Sequence, residues 1–384
     1  MKANRLVLTF LLLVSAGAFQ LPAQQADADR RLFEETKAKA EKGDAQAQVH
    51  LASVYDLGNL GVTKDAQEAV RWWRKAAEQN NAEAQFNLGV CYAKGDAVSK
   101  NAQEAVKWYH MAAEQNLAKA QFNLALCYAK GDGVEKNVQE AAKWWRKAAE
   151  QGDVQSQYNL GIACAKGDGV EQNAREAAQW FRKAAEQNSA RAQFNLGTCL
   201  AKGKGVVQNT REAAQWYRMA AEQNLSDAQL NLGICYATGE GVEKNMQEAV
   251  IWWRKAAEQN VAQAQYNLGQ CYRRGDGVEK DAQQAVKWYL RAAEQNYANA
   301  QYNLSIRYKN GDGVQKNNVE AYRWCLLAAV QGLADATKNL SDLEANMTPA
   351  EITQAKRLAR EFKPPKRSES DQFDWREAPD QRER

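Results

Sequence analysis

Residues 84–89 read Ala-Gln-Phe-Asn-Leu-Gly, and this short pattern decides the fold because it returns at a fixed interval. The next copy, at residues 120–125, reads Ala-Gln-Phe-Asn-Leu-Ala and lies 36 residues further along the chain. Such self-similarity is the signature of a repeat architecture. The sequence therefore predicts eight copies of one unit over residues 45–331. The glutamine of the pattern stands at Gln48, Gln85, Gln121, Gln157, Gln193, Gln229, Gln265 and Gln301.

Each unit is predicted to contain two helices, and apolar spacing defines the first. In the second unit, Ala84, Leu88 and Tyr92 lie four residues apart, so they share one face of a helix over residues 82–94. Gly95 stands where the following loop starts. Glycine suits this place because the residue after a helix commonly takes the left-handed conformation.

The second helix of each unit begins with a capping signal. Asn101 is followed three residues later by Glu104, a capping box in which each side chain would satisfy a free backbone amide at the other position. We expect this reciprocal pair in every unit, with each cap contributing about 1 kcal/mol. The pairs are Asp65/Glu68, Asn101/Glu104, Asn137/Glu140, Asn173/Glu176, Asn209/Glu212, Asn245/Glu248, Asp281/Gln284 and Asn317/Glu320.

Large and small side chains recur at fixed places in the two helices. A glycine in mid-helix costs about 1 kcal/mol against alanine, so close helix–helix contact must offset it. Because one unit cannot bury its own apolar face, the units are predicted to share a continuous core. The second helices carry tryptophans that we expect to be buried: Trp72, Trp108, Trp144, Trp180, Trp216, Trp252, Trp288 and Trp324. The first helices carry a small residue after their leucine: Ala52, Gly89, Ala125, Gly161, Gly197, Gly233, Gly269 and Ser305.

Composition excludes several other classes of protein. No proline lies between Pro22 and Pro349, which favours helical structure because proline breaks helices. The chain has 51 Lys and Arg residues against 47 Asp and Glu, and this net charge of +4 predicts no nucleic-acid partner. With two histidines there is little material for a His-based metal site, and we expect neither a metal nor a cofactor.

The first residues have the features of a secretory signal peptide, which we predict over residues 1–18. Lys2 and Arg5 provide the positive start, residues 6–14 form the apolar run, and the small residues at 16–18 provide a cleavage site. The alternative is an N-terminal membrane anchor, but a span needs about 20 apolar residues. We therefore expect an exported protein, periplasmic or secreted, with no membrane span in the mature chain.

The stack of units is predicted to have caps at both ends. Residues 27–44 would form a helix that caps the first unit, because Leu32–Lys42 aligns with the latter part of a second helix. Residues 332–362 would form C-terminal capping helices, the last of which starts with a cap residue and a proline at Thr348 and Pro349. Residues 363–384 are rich in proline and charge and are predicted to form a disordered charged tail.

The whole unit, Ala-x-Ala-Gln-x-Asn-Leu-Gly-x-x-Tyr-x-x-Gly-x-Gly-Val-x-x-Asn-x-x-Glu-Ala-x-x-Trp, resembles the Sel-one-like repeat (SLR), a relative of the tetratricopeptide repeat. The resemblance covers most of the chain, and eight copies keep its register. It implies an all-α fold, a right-handed α-solenoid whose first helices line the concave side. It also implies the role of an adaptor or scaffold that binds other proteins.

The cysteines raise the question of disulfides. Equivalent positions on adjacent first helices should be about 8–10 Å apart, whereas a disulfide tolerates less than about 7 Å between Cα atoms. Cysteine-rich relatives pair a cysteine of one helix with one of a neighbouring helix, and this sequence lacks the second partner. We therefore predict buried free thiols. Five of them occupy one repeat position, Cys91, Cys127, Cys199, Cys235 and Cys271, and the others are Cys164 and Cys325.

The candidate binding residues occupy two positions that recur in the first helix of successive units, and we call each recurring position a column. If the register follows the tetratricopeptide pattern, the residue after each glutamine points into the groove, and a lysine follows near the helix end. Aromatic and cationic side chains together suit a peptide with apolar and acidic residues. The alternative is that the rings pack between units and the lysines complement the helix dipole. The candidates are Phe86, Phe122, Tyr158, Phe194, Tyr266, Tyr302, Lys94, Lys130, Lys166 and Lys202.

These observations favour an exported, non-catalytic scaffold that binds a protein or peptide partner through the concave face. Two alternatives stay open at this point. Some cysteine-rich relatives have been linked to β-lactam binding or hydrolysis, although no serine here has the lysine three residues later that the serine nucleophile motif requires. The other alternative is a scaffold of polysaccharide secretion.

Overall fold

The structure is a computed structural model, and it describes residues 25–365. Within this range the regular secondary structure is entirely α-helical, without a strand. Consecutive helices form antiparallel pairs of the kind found in an α-solenoid, which confirms the predicted fold class. The predicted signal peptide, residues 1–18, and most of the predicted tail, residues 366–384, lie outside the described residues.

The chain divides into two compact units, with the boundary between Gln172 and Asn173. In the first unit, from Ala45 onward, successive helices pack against one another along the chain. The described part of α1 covers residues 25–41. The other helices of this unit are α2 (Ala45–Leu57), α3 (Ala66–Glu78), α4 (Ala82–Lys94), α5 (Ala102–Glu114), α6 (Ala118–Lys130), α7 (Val138–Glu150) and α8 (Val154–Lys166).

The second unit has the same alternation of helices, and its last described helix, Pro349–Glu361, packs back against the helix Asn318–Val330. Its helices are α9 (Ala174–Glu186), α10 (Ala190–Lys202), α11 (Thr210–Glu222), α12 (Ser226–Thr238), α13 (Met246–Glu258), α14 (Ala262–Arg274), α15 (Ala282–Glu294), α16 (Ala298–Asn310), α17 (Asn318–Val330), α18 (Ala334–Glu344) and α19 (Pro349–Glu361). We call the first helix of each pair, from α2 to α16, an A helix, and the second, from α3 to α17, a B helix.

The A helices end as their sequence predicts. Helix α4 covers Ala82–Lys94, the range expected from apolar spacing, and Gly95 follows it with a φ of 83°. In this left-handed conformation the Gly95 N–H donates to the Cys91 carbonyl at 2.8 Å. The glycine thus satisfies a carbonyl that the end of the helix leaves without an intrahelical donor.

The B helices begin differently from the expectation. The Asn101 side chain accepts from the Glu104 N–H at 3.1 Å, which confirms the first half of the capping box. The second half is wrong, because the Asn101 N–H donates instead to the Tyr92 carbonyl of the preceding A helix, at 2.9 Å. Of the described helices, the last is the one whose cap, Thr348 with Glu351, has both bonds. The N-cap amides of Asp65, Asn137, Asn209, Asn245, Asp281 and Asn317 donate as Asn101 does.

The seam between the helices of a pair explains the mid-helix glycines. A Cβ atom added at Gly89 would lie 2.7 Å from the ring of Tyr109, so this ring fits only against a residue without a side chain. The ring in the seam is therefore the residue after the tryptophan. The expectation that all eight tryptophans are buried is wrong at three of them, which are half-buried: Trp108, Trp216 and Trp252.

A network of amide side chains joins successive pairs. Gln85 is fully buried, and its Nε2 donates to the Ala77 carbonyl at 3.3 Å and to Asn80 Oδ1 at 3.1 Å. Gln115 Nε2 in turn donates to Gln85 Oε1 at 2.7 Å and to Asn80 Oδ1 at 3.2 Å. Asn80 has a positive φ of 63°, which asparagine tolerates better than most residues. The network thus satisfies the buried amide and connects one pair to the next.

Additional helices cover both ends of the repeats. At the N-terminal end, the Phe33 ring of α1 meets Tyr55 edge-on, with 6.0 Å between ring centroids, and Gln48 Nε2 donates to the Ala40 carbonyl at 3.0 Å. At the C-terminal end, Phe362 follows α19 and packs on Trp324, with 5.7 Å between ring centroids. These contacts cover apolar surface that the first and last pairs would otherwise expose.

Candidate partner-binding face

Three of the four A helices of the first unit, α4, α6 and α8, repeat the same surface. Asn87, Val90 and Lys94 lie on one side of α4, because residues three and four apart share a helix face. The asparagine and valine are half-buried, and the lysine is exposed. Helices α6 and α8 carry the same kinds of residue at the same places. We call the set the A-helix face of the first unit; its members are Asn87, Asn123, Asn159, Val90, Leu126, Ile162, Lys94, Lys130 and Lys166.

The aromatic residues expected in the groove lie at the edge of this face. Phe86, Phe122 and Tyr158 are half-buried. The Phe86 ring leans on Tyr109 of the neighbouring B helix, with 6.0 Å between ring centroids, so part of its surface is used in packing. The role of these residues in binding a partner stays a prediction.

In the second unit the aromatic column is also engaged with neighbouring helices. Phe194 is buried and lies 5.8 Å from the Tyr217 ring. Tyr266 is half-buried between two rings, those of Tyr289 at 6.0 Å and Tyr297 at 5.4 Å. The half-buried Tyr302 accepts a hydrogen bond on its phenol oxygen from Asn339 Nδ2, at 2.7 Å. These contacts hold each ring at a fixed angle to its helix.

The four predicted lysines, Lys94, Lys130, Lys166 and Lys202, are all exposed at the ends of their A helices. Lys166 Nζ lies 3.8 Å from Asp168 in the following loop. Partial burial lowers the pKa of Lys166, and the nearby Asp168 carboxylate opposes this shift. In the first unit, Lys94, Lys130 and Lys166 thus supply positive charge beside the half-buried aliphatic residues.

The corresponding surface of the second unit is less regular. Its asparagines persist, at Asn195, Asn231, Asn267 and Asn303. The aliphatic column becomes mixed and reads Thr198, Ile234, Gln270 and Ile306. The lysine column reads Lys202, Thr238, Arg274 and Asn310. The first unit therefore presents the same three kinds of residue on three successive A helices, whereas the second unit does not.

Counting along the helix would have found residues that the sequence reasoning missed. Val90 and Asn87 lie four and seven residues before Lys94, which places all three close to one line along α4. Phe86 is one residue off this line. The choice of the aromatic column rested on the tetratricopeptide register, whereas the helical period marks the asparagine and aliphatic columns as nearer the centre of the face.

The thiols have little capacity for chemistry. All seven cysteines are free, and six are buried; the expectation of a buried thiol is wrong at Cys127, which is half-buried. Burial raises the pKa of Cys91 and Cys127 to about 11, and that of Cys199 and Cys271 to about 12. Because the thiolate is the reactive form, these groups are weak nucleophiles at neutral pH.

The two histidines lie apart from each other. His50 is exposed on α2, and His110 on α5 lies 3.9 Å from Glu114 with its ring against Trp144. Between residues 25 and 365, no three His, Cys, Asp or Glu side chains come together as ligands for a metal ion. In the same range, no helix has the length and apolarity that crossing a membrane requires.

Comparison with known proteins agrees with the repeat architecture. A family model for the Sel1 repeat matches residues 45–81, 82–117, 118–153, 154–189, 190–225, 226–261, 262–297 and 298–333. The chain belongs to the Sel1 repeat family. This assignment confirms the resemblance stated from the sequence, and helical Sel1 repeats generally serve as scaffolds for protein interaction.

Solved structures of Sel1 repeat proteins are similar to this chain. The Sel1 repeat protein from Oxalobacter formigenes is 30% identical, with a TM-score of 0.61, and the match covers 81% of this chain and 89% of that one. The c5321 protective antigen of uropathogenic Escherichia coli, which has an SLR fold, is 31% identical, with a TM-score of 0.41 and coverage of 86% and 94%. No curated protein matches the chain.

Proposed function

We propose that this Sel1 repeat protein is an exported, non-catalytic scaffold that binds a protein partner through its A helices. The observation that carries the proposal is the threefold repetition of amide, aliphatic and cationic residues on α4, α6 and α8. An enzyme needs a few unlike groups at one place, whereas this surface repeats one modest set of contacts at regular spacing. Such a surface suits an extended chain.

The chemistry of the columns defines the kind of partner. The half-buried Val90, Leu126 and Ile162 offer apolar contact, and Lys94 and Lys130 offer charge at the border. The asparagine amides can both donate to and accept from a peptide backbone. The partner is therefore an extended segment with alternating apolar and acidic residues.

Export is the second part of the proposal, and it rests on the features of residues 1–18. Expressed with these residues in a bacterial host, the chain should be recovered from the periplasm or the medium with a new N-terminus after Ala18. Recovery of the uncleaved chain from the cytoplasm would contradict it.

Selection from a random peptide library tests the binding function. Peptides enriched on the wild-type protein should be acidic and apolar, and binding should fall about tenfold in the variant Lys94→Glu/Lys130→Glu, since two favourable charge interactions become repulsive. The matched control is Lys100→Glu/Lys136→Glu, which makes the same charge change at exposed loop positions of the same repeats. Equal binding by both variants, or the absence of any enriched peptide, would contradict the proposed face.

A further inference from the structure

A cavity of about 320 Å³ lies among α2, α3 and α4, at the junction of the first and second repeats. Its wall includes Asn87, Val90 and Lys94, so it opens on the A-helix face described above. The other side is formed by α2, where Ser53, Asp56 and Leu57 replace the Val, Ala and Lys that the second repeat has at the same positions. The first repeat thus departs from the pattern where it borders the cavity.

The loop after α4 contributes a second departure. In the third repeat, a Cβ added at Gly133 would lie 2.2 Å from the Ala102 carbonyl oxygen, so the loop touches the start of the preceding B helix. The second repeat has Ala97 at that position, with a φ of 58°. The Ala97 methyl group prevents this loop from approaching Ala66 as closely as the loop at Gly133 approaches Ala102. Asp96, next to Ala97, and Ala66 both form part of the cavity wall.

The indole of Trp73 forms another part of the wall and has an unsatisfied donor. In the sixth repeat, the Trp253 ring lies over Gly233 and its Nε1 donates to the Leu230 carbonyl at 3.2 Å. The first repeat has Ala52 in place of that glycine, so the ring cannot take the same position. Trp73 is 6% exposed, and its Nε1 has no hydrogen-bond partner among the described residues. The equivalent Trp145 of the third repeat also has an unpaired Nε1, so what Trp73 contributes to the cavity is the apolar surface of its ring.

The charge of the wall is negative. Three carboxylates, those of Asp56, Glu83 and Asp96, face one ammonium group, that of Lys94. Lys64 lies 3.9 Å from Asp56, but both side chains are largely exposed and such a pair contributes little. Burial is the main cause that raises the pKa of the Cys91 thiol, and the Asp56 and Asp96 carboxylates raise it further. Because Cys91 is part of the cavity wall, the negative potential of the two carboxylates extends to that wall.

We propose that this cavity receives a basic residue of the partner, with its cationic group beside Asp56 and Asp96 and its aliphatic stem against the wall that Trp73 helps to form. The aliphatic stem would lie against Val90 and Leu57, which line the opening. A long side chain that ends in a cation satisfies the carboxylates, while its methylene groups contact the apolar part of the wall. The proposal rests on the proposed function, since the cavity would anchor one end of a segment bound along the A-helix face.

A blocked Gly-Gly-Arg-Gly-Gly peptide tests the cavity separately from the rest of the face. Titration followed by the indole N–H signals of the protein should shift the Trp73 signal, which is identified by its loss in Trp73→Phe. The same peptide with citrulline in place of arginine keeps the shape without the charge. We expect it to bind about fivefold or more weakly, as for loss of a partly exposed ion pair.

Two variants and a control complete the test. Asp56→Ala introduces the residue that the second and third repeats have at this position, Ala93 and Ala129, and should weaken arginine-peptide binding about fivefold without disturbing the fold. Asp96→Asn should act in the same direction. Asp132→Asn, the same loop position one repeat later, should have no effect. Equal binding of the arginine and citrulline peptides, or indifference to both cavity variants, would overturn the proposal.

The outcomes also separate this inference from the proposed function. If the arginine peptide binds at Trp73 but no peptide depends on Lys94 and Lys130, the basic-residue site in the cavity is supported and peptide binding along the A-helix face is contradicted. If peptides depend on Lys94 and Lys130 but the arginine peptide does not bind at Trp73, the scaffold function is supported and the basic-residue site is contradicted.

Discussion

The junction between the first and second repeats and the junction between the second and third are built from the same kinds of helix, but they close differently. At the second junction, Gly133 brings its loop against the Ala102 carbonyl, and α4 has Val90, Ala93 and Lys94 at the positions that Ser53, Asp56 and Leu57 occupy in α2. At the first junction, Ala97 prevents the same approach, and an acidic cavity lies between the helices.

This difference shows how a repeat protein acquires a local site without changing its helices. The amide network is intact at both places: Asn80 and Asn116 each accept from two glutamines, at 3.1–3.2 Å. The continuous core is thus kept, while a few surface substitutions and one methyl group alter the space between neighbouring A helices. The following predictions test which of these features are shared by the two junctions and which are not.

The largest expected effect concerns a feature that the junctions share, a thiol that is buried at Cys91 and half-buried at Cys127. In the folded chain the pKa of Cys91 and of Cys127 is about 11, above the ordinary value of about 8.5. An unfolded chain therefore releases these protons first as the pH rises. The stability that each thiol contributes is complete below about pH 8.5 and is lost as the pH rises through about 11. Each thiol accounts for roughly 1–3 kcal/mol.

Urea unfolding at pH 7.5 and at pH 10.5 measures this loss. Because tyrosines and lysines also titrate in this range, the control is the double variant Cys91→Ala/Cys127→Ala, which should lose less stability over the same interval. A loss as large in the double variant as in the wild type would show that the thiols are not its cause.

The second prediction tests whether the close approach of the Gly133 loop to α5 distinguishes the second junction from the first. Gly133→Ala should destabilise the protein by about 2–4 kcal/mol, because the new methyl group meets backbone atoms and the residue keeps a positive φ. Gly131→Ala is the matched control. It shares the positive φ, but its nearest neighbour is a lysine side-chain atom at 3.3 Å, so about 1–2 kcal/mol is expected.

Thermal or urea unfolding of the two alanine variants measures the difference. If Gly131→Ala costs as much as Gly133→Ala, the close approach to α5 has no energetic importance and the explanation of the cavity by Ala97 fails.

How far the sequence predicts such features depends on whether they are local or between repeats. Helix α4 and its cap at Gly95 follow from spacing and from the conformational preference of glycine, and both are found as expected. The capping box at Asn101 fails in its second bond because a carbonyl of the neighbouring A helix, that of Tyr92, takes the amide. Local signals thus predict the elements, while partners from other elements decide the remaining bonds.

The candidate site was predicted less completely than the fold for the same reason. The exposure of Lys94 follows from its place at a helix end, but the packing of Phe86 on Tyr109 depends on the angle between two helices. The cavity beside Trp73 depends on three departures from the repeat, at Ala52, Asp56 and Ala97. Each is visible in the aligned units, but the sequence alone does not show that they border one space.

The smallest expected effect comes from a variant that makes the first junction resemble the second. Ala97→Gly restores the residue that the third repeat has at this position and relieves the positive φ of an alanine, which costs roughly 1–2 kcal/mol. Glycine also adds freedom to the unfolded chain, which offsets about 0.4–1 kcal/mol of this gain. A net stabilisation of up to about 1 kcal/mol is therefore expected in urea unfolding.

The same variant connects stability to the proposed site. Once the methyl group is absent, the loop at Asp96 can approach Ala66 as the loop at Gly133 approaches Ala102, and the cavity narrows. Ala97→Gly should then be more stable than the wild type but bind the arginine peptide more weakly. Asp56→Ala should weaken binding by a different route, through loss of charge. A destabilised Ala97→Gly variant would mean that the Ala97 methyl group packs favourably, and the cavity would then owe its shape to α2 instead.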